Sequence, residues 1–475
     1  FYSPANYDFY SKRPYLPLDK SKRSIRLLKV IHHDDAGYFR CELTDEIPLP
    51  DAHGTYTAVS YCAGNPKNTR AIEVNGIKFN AFANLVIALD ETLHYRAKAY
   101  GDEEPLLWLD QVCINQSDPT ERSHQVGFMR DIYSSAWEVA VCLSTSKTKS
   151  RAMSWIEHVG TRVPGLEAVF KRASNSVFVN GCNDVLKMLG QPWWTRAWIF
   201  QEYTVSQSAH FIYGGQFMHG RMFSAILLHF MLTIREAKYH HIFLENNPQY
   251  ISGGPEHRQM IRLSEIRSSL HESIEAAKFI LKSKEIQTRL ESFNQLLSHS
   301  RRCGVSDPRD RVYAFVGLVD PMYGIVPDYD AANTAQRVFS ETARRIILHE
   351  GNLSILSHAV LCRGDMGSTL PSWVPDWTSK DSVAKQQLRE SLIRHGNFDA
   401  SRGTRMDASF SGGCKVLEIT GIFVDNIVDV RMDLSRSSTS KGYRARTGPE
   451  VLPDDQIWIL SGARLPLVLR SIQGG

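Results

Sequence analysis

Several features that would settle a function class on their own are missing from this chain. No apolar run reaches the ~18–20 residues that a membrane-spanning helix needs, and the longest stretch, Ala225–Ile234, is broken by His229 and Thr233. Net charge is nearly absent, at a formal +4 over 475 residues. That leaves no electrostatic basis for holding nucleic acid or an anionic membrane surface. Cysteine is scattered over positions 41, 62, 113, 142, 182, 303, 362 and 414, with no CxxC pair and no zinc-like spacing. In a chain of this size such thiols read as reduced, in an intracellular and cytoplasmic protein. No GxGxxG follows a strand-like run and no GxxxxGKS or GxxxxGKT occurs, which disfavours the common dinucleotide and phosphate loops. There is no HExxH, and His32-His33 and His240-His241 are adjacent pairs that cannot share one helix face, so no metal is expected. No repeat of fixed period is seen.

What is present is ordinary for a folded, multidomain protein: 43% hydrophobic and 22% charged residues, values too apolar for disorder. At about 150 residues per domain the length implies about three domains, or two with insertions. The first residue is Phe1, so a fragment edge is expected there.

The first part of the chain alternates strand and helix signals. Arg26–Ile31, Tyr38–Thr44 and Tyr56–Tyr61 read as strands, and Ala71–Val74 and Ile77–Phe79 flank Asn75-Gly76 as a β-hairpin. A helix over about Ala83–Tyr95 and a short buried strand at Pro105–Leu109 follow. Asp118 can cap the next helix, with Pro119 at its first position and Glu121 three residues after the cap. Val126, Met129, Ile132, Tyr133 and Ala136 give that helix one buried stripe. Val139–Leu143 is a further buried strand, so the strand–helix–strand run predicts a parallel pair with a right-handed crossover. Ser174–Asn183 reads as a Gly/Asn-containing connection, a short helix opens near Trp194, and His210–Tyr213 is one more strand. The pattern is helical from about Arg221 to Ser300, as at Leu263–Lys282, with a Gly/Pro break at Ser252–Pro255. The rest mixes a helix (Ala335–His349) with β-like runs at Leu353–Ser357, Val416–Ile427 and Gln456–Ser461, and Ser435–Thr447 reads as a loop.

Two polar clusters carry candidate chemistry. In Leu107–Gln116 (LWLDQVCINQ), Asp110 stands at the carboxyl end of a buried strand, where ligands gather in parallel sheets. Asn115 and Gln116 follow it, and they serve either a site or local structure. Asp118 and Glu121 read as helix caps, with Arg122 paired to a carboxylate. Cys113 beside this strand, with His124 on the next helix, leaves a Cys–His nucleophile as an alternative to a packed thiol. In Pro192–Glu202 (PWWTRAWIFQE), Arg196, Gln201 and Glu202 interleave three tryptophans. A carboxylate among aromatic rings suits a flat ligand with developing positive charge, but the same residues could form a structural ion pair.

Tyr56–Tyr61 (YTAVSY), the Asn75-Gly76 hairpin, Asn84-Leu85, Leu107–Gln116, Glu121-Arg122 with Gln125, Ile132-Tyr133 and Trp198–Glu202 stand together in order. In that order and spacing the chain resembles the fungal heterokaryon incompatibility (HET) domain. The resemblance continues through Ser306–Ala314, Leu370–Trp377 and the stretch from Asp454 to Arg470. It implies an α/β fold: a TIR/flavodoxin-like parallel sheet in the N-terminal HET domain, then a helical region and a mixed α+β C-terminal region. The expected divisions are residues 1–215 (core about 56–205), 216–300 and 301–475, the last expected to be truncated.

The resemblance also implies a fungal protein of the incompatibility and programmed-cell-death type. Through its distant likeness to TIR enzymes, it implies cleavage of the nicotinamide–ribose bond of NAD, with NAD as substrate and no resident cofactor. Glu202 is then the catalytic carboxylate with Asp110 beside it, and Tyr61, Asn115, Gln116, Arg196 and Trp198 line the pocket. The partners implied are a small-molecule or nucleotide ligand, further copies of the chain, or other incompatibility proteins. Two alternatives stand: a non-enzymatic module acting by homotypic assembly, and an enzyme of small-molecule biosynthesis using Cys62, Cys113 or Cys142. The chain has Ala63 and Cys142 where the family usually has Trp, and Ser144 where it has Gly. Such losses are expected to open space near the strand ends.

Overall fold

The computed structural model describes residues 4–34, 37–101, 104–162, 176–231, 271–285, 293–360, 369–379, 399–431, 436–447 and 451–471. The chain divides into two compact units, one of residues 1–290 with 327–330, the other of 291–326 with 331–475. The break at Ser252–Pro255 and residues 263–270 of the expected helix lie outside the described residues; from residue 271 the expected helix is present, as His271–Glu285.

Strands of the first unit are β1 (Ser24–Ile25), β2 (Leu28–His33), β3 (Phe39–Leu43), β4 (Ile47–Pro48), β5 (Thr57–Tyr61), β6 (Thr69–Val74), β7 (Ile77–Phe82), β8 (Leu106–Trp108), β9 (Glu138–Cys142), β10 (Ala209–Tyr213) and β11 (Gln216–His219). Nine of them form one sheet in the order β11-β10-β9-β5-β8-β2-β3-β6-β7. Its centre is parallel, with β5 flanked by β8 and β9 and β10 beside β9. The sheet as a whole is mixed, which corrects the all-parallel expectation. Short turns fold β2 onto β3, β6 onto β7 and β10 onto β11, and connections of that length can give only antiparallel neighbours. Nor are β8 and β9 direct partners. β5 lies between them, because the two runs that are buried at every residue, TAVSY and EVAVC, take the middle of the sheet.

Local signals account for most element ends. Asn75 and Gly76 hold φ of +52° and +75°, the two positive values that a two-residue hairpin turn of this twist requires. The helix Ala83–Tyr100 outruns its expected end at Tyr95 and stops on Gly101 in the left-handed conformation. Asp118 caps Pro119–Gly127 through the amides of Thr120 (2.8 Å) and Glu121 (3.2 Å). The expected single helix breaks at Phe128 and resumes as Met129–Ser135, after a glycine that favours helix poorly. The connection expected at Ser174–Asn183 is instead helix from Ser176 to Leu189. The helix expected near Trp194 is replaced by a 3₁₀ turn, Pro192–Thr195, and a π-helical turn, Phe200–Thr204.

In the second unit the helices Phe293–Ser300, Asp310–Val316 and Ala335–Glu350 precede two small sheets. Leu356–Val360 is a helical turn where a β-like run was expected. Strands β12 (Ala408–Ser411) and β13 (Val416–Ile419) form a hairpin. The larger sheet takes β14 (Gly421–Arg431), β15 (Arg436–Thr439), β16 (Arg444–Arg446), β17 (Gln456–Leu460) and β18 (Leu467–Leu469) in the order β16-β15-β14-β17-β18. Residues 436–447, within the stretch expected to be a loop, supply the β15–β16 hairpin. Its polar composition is compatible with a strand because Ser437 and Thr447 bond each other inside (2.6 Å), while Asp425 accepts from the Lys441 amide (2.8 Å) at the turn.

One buried carboxylate ties β9 to its neighbours. Glu138 accepts hydrogen bonds from Tyr95 Oη (2.7 Å) and Arg96 Nη1 (3.0 Å) and sits 3.0 Å from His210 Nδ1. Burial opposes its charge, but His210, Tyr95 and Arg96 outweigh burial and hold the carboxyl below its ordinary value. A depressed folded-state value makes this contribution complete above the unfolded glutamate value of about 4.3 and lost as pH falls through the folded value. Urea unfolding between pH 6 and pH 3 should therefore show wild-type stability falling more steeply than that of Glu138→Gln. Parallel curves would place the acid lability elsewhere.

Candidate functional site

The carboxyl end of β5 is where the two polar clusters meet. Ser60, next to last in this strand, is fully buried. A buried hydroxyl needs partners, and Ser60 has two. Its Oγ accepts from Trp193 Nε1 (2.8 Å) and donates to Glu202 Oε2. Glu202 stands in the π-helical turn Phe200–Thr204, a geometry frequent at functional sites. Its carboxylate is gripped by Arg196, with Nη1 at 2.9 Å from Oε2 and Nη2 at 2.8 Å from Oε1. The Glu202 side chain is 1% exposed and that of Arg196 15%. Burial disfavours the guanidinium charge, yet the Glu202 carboxylate more than offsets this and pushes the Arg196 pKa up.

Asp110 joins the cluster from the end of β8. Tyr61 Oη donates to its Oδ1 (3.0 Å), as does the Gln111 amide (2.7 Å), and Gln116 Nε2 donates to its backbone carbonyl (2.7 Å). Burial raises the Asp110 pKa; Arg196 acts through space to lower it, and Glu202 to raise it further. Tyr61 is pushed well up by burial and by Asp110. Gln116 Oε1 is buried without a hydrogen-bond partner.

The structure thus groups Tyr61, Asp110, Gln116, Arg196 and Glu202. It does not bring the Asn115 side chain to them. Asn115 Oδ1 accepts from the Ser117 amide (3.1 Å) and hydroxyl (2.6 Å), the local turn chemistry of this residue type. Trp198 is half-buried and supplies the carbonyl bonded by the Gln201 and Glu202 amides (2.9 and 3.1 Å), so its recorded role is in shaping the turn. Glu121 is paired in a buried fork with Arg26 (2.7 and 3.0 Å) as well as lying in the capped turn. Arg122 stacks on Tyr329, 3.8 Å from the ring centre, where a carboxylate partner was expected.

Cys113 and Cys142 are packed thiols, whereas Cys62 is half-buried. Cys113 is 1% exposed, lies between the Leu109 amide and the Leu107 carbonyl, and is pushed up to about 12 by burial. Cys142 is likewise pushed up by burial and packs on Thr92 (3.4 Å) and the Ala88 carbonyl (3.6 Å). A thiol that holds its proton is a poor nucleophile. Ser144 donates to Glu91 (2.7 Å) and accepts from the Gly214 amide (3.0 Å). At Cys142 and Ser144 the departures from the family pattern are therefore filled by bonds of their own. In the second unit, the motif Ser306–Ala314 borders an open cavity of about 350 Å³, where Arg309 is forked onto Asp307 (2.8–3.2 Å).

Sequence reasoning missed three residues. Ser60 carried a signal, as a hydroxyl inside an apolar strand. Trp193 carried the signal of an indole N–H that must be bonded when buried. Lys284 carried none: from the helix His271–Glu285 its Nζ donates to the Tyr203 carbonyl (2.8 Å), the Ser206 carbonyl (2.7 Å) and Ser206 Oγ (2.6 Å). It clamps the end of the turn that holds Glu202.

Comparison with known proteins places Tyr61, Asp110, Gln116, Arg196 and Glu202 in one family segment. Residues 56–202 match the family model described as heterokaryon incompatibility protein (HET). The first residue of that match opens the β5 region and the last is Glu202. The chain is 29% identical over 457 residues to heterokaryon incompatibility protein 6, OR allele, of Neurospora crassa, an alignment covering 84% of this chain and 63% of that protein. The chain thus spans less than two thirds of that relative's length. No solved structure matches. Residues 56–202 are thus similar to a heterokaryon incompatibility (HET) domain.

Proposed function

We propose that the chain acts in heterokaryon incompatibility and that its HET domain cleaves the nicotinamide–ribose bond of NAD or a related nucleotide at Glu202. The Neurospora crassa relative's name supports the first part. For the second, the observation that carries it is the Glu202 carboxylate, buried beside the carboxyl end of a central parallel strand. Numbered in chain order, the parallel strands β5, β8, β9 and β10 lie as 2-1-3-4, the start of the flavodoxin-like order. In that order ligands bind where the winding reverses, beside the first strand, here β5. This arrangement supports a TIR-like reading of the domain.

The chemistry follows from charge. As the C1′–N bond breaks, its electron pair goes to the ring nitrogen, the pyridinium becomes neutral nicotinamide, and positive charge grows on the ribose. A carboxylate fixed against that charge stabilises the transition state more than the ground state. Water from solvent then bonds to C1′ and gives up a proton, leaving ADP-ribose. Ser60 orients Glu202, and Asp110 adds a second acidic group. Purified protein incubated with NAD should release nicotinamide, and Glu202→Gln should lower the rate by about 10²–10³-fold, the scale of losing one preorganised electrostatic group. Release that persists in the variant would remove Glu202 from the mechanism.

A second reading is favoured by the closure of the cluster, since Arg196 and Ser60 occupy both Glu202 oxygens. On this reading the carboxylate is held permanently and the domain signals by homotypic assembly. It predicts concentration-dependent oligomers and no release of nicotinamide.

A further inference from the structure

The cluster around Glu202 is closed by its own cation. Arg196 presents a flat guanidinium to the carboxylate through two bonds of 2.8 and 2.9 Å. Any ligand that reaches Glu202 must first move that group. Separating a buried pair leaves an uncompensated charge, and the penalty is severe unless each partner finds a new one. The two partners differ in what they need. The Glu202 side chain is 1% exposed and requires a replacement cation in place; Arg196, at 15%, is the member nearest the surface.

Two further observations define the replacement. Asp110 feels both Arg196 and Glu202 through space, so one guanidinium faces two acidic groups. Gln116 Oε1, 6% exposed in residue terms and without a partner, is an acceptor beside Asp110 still lacking an N–H donor.

We infer that Arg196 is a built-in stand-in for the ligand, and that the site opens by exchange of partners with a zwitterionic nucleotide. Glu202 takes the nucleotide's planar cation, and the released Arg196 takes its phosphate. Guanidinium suits the second role because its fork matches phosphate oxygens. The ligand class is a planar organic cation with N–H donors joined through a sugar to a phosphate. Neither half alone compensates both charges. The inference rests on the reading that Glu202 is the working carboxylate, but it concerns recognition and does not require turnover.

Calorimetric binding of three probes to the purified chain tests it. They are the carbocyclic, cleavage-resistant form of nicotinamide mononucleotide, its phosphate-free counterpart, and its dihydro form with an uncharged ring. The complete zwitterion should bind at least about 10-fold more tightly than either of the others, about 1.4 kcal/mol. Arg196→Gln should erase the gain from the phosphate, and Glu202→Gln the gain from the ring charge. Should Arg196→Gln fail to fold, Arg196→Lys keeps the charge without the fork, and the phosphate gain should shrink in it; an unchanged phosphate gain there would equally overturn the exchange. Equal binding of all three probes, a phosphate gain untouched by Arg196→Gln, or no binding at all would overturn the exchange. A parallel NAD assay separates the two ideas. Selective binding without nicotinamide release defeats the catalytic reading alone, whereas release with no preference for the zwitterion defeats the exchange alone.

Discussion

Glu121→Ala should lower unfolding stability by about 3–5 kcal/mol, the usual penalty for stripping one partner from a buried ion pair. The Arg26 and Glu121 side chains are 3% and 8% exposed and joined by two bonds of 2.7 and 3.0 Å. The pair also organises the backbone around it. Arg26 Nη1 reaches the Cys113 carbonyl (3.2 Å), and the Asn115 amide donates to Glu121 Oε1 (2.7 Å). Removing the carboxylate therefore strands a guanidinium and an amide at once, in the loop that leads from Asp110 to its helix. Urea denaturation of Glu121→Ala, Arg26→Met and the double variant Arg26→Met/Glu121→Leu measures it. The double variant should be markedly more stable than the sum of the single losses, because apolar partners remove both charges together. A single-variant loss below about 1 kcal/mol would mean that water reaches the pair and screens it as at a surface.

This pair also shows where reading the sequence stops. Its two members are 95 residues apart, and nothing local in residues 118–122 names Arg26 as the partner of Glu121. Sequence periodicity did yield β5, β9 and the Asn75-Gly76 hairpin, because alternation, full burial and turn chemistry are properties of a few neighbouring residues. The mixed sheet was not legible in the same way. Whether β8 lies beside β9 or beyond β5 depends on which apolar strand is buried on both sides, a property of the assembled sheet. At the candidate site, Glu202, Arg196, Asp110 and Gln116 could be picked out by residue type and position, and Tyr61 through the family resemblance. The π-helical turn could not, since apolar spacing over five residues does not distinguish it from ordinary helix. Asn115 was misplaced for a related reason: its side chain turns back to Ser117, a local bond competing with the pocket.

Trp193→Ala should destabilise the first unit by about 3–5 kcal/mol, the range for deleting a buried aromatic side chain. Trp193 is fully buried, with its ring centre 5.0 Å from Trp194 and 5.8 Å from Phe211. Trp193→Phe is the more informative change, because it keeps most of the ring and removes the N–H. In the wild type that N–H occupies one lone pair of Ser60 Oγ, so the hydroxyl proton is directed to Glu202. Without it the hydroxyl loses a partner, at about 1–3 kcal/mol for a buried group left unsatisfied. Its rotor is also no longer fixed toward the carboxylate. Ser60→Ala breaks the same chain one link further on. The two changes therefore act on one unit, and the double variant should be less destabilised than the sum by about 1 kcal/mol. Additivity within about 0.3–0.5 kcal/mol in a double-mutant cycle would instead make Trp193 a packing residue with no hold on Glu202.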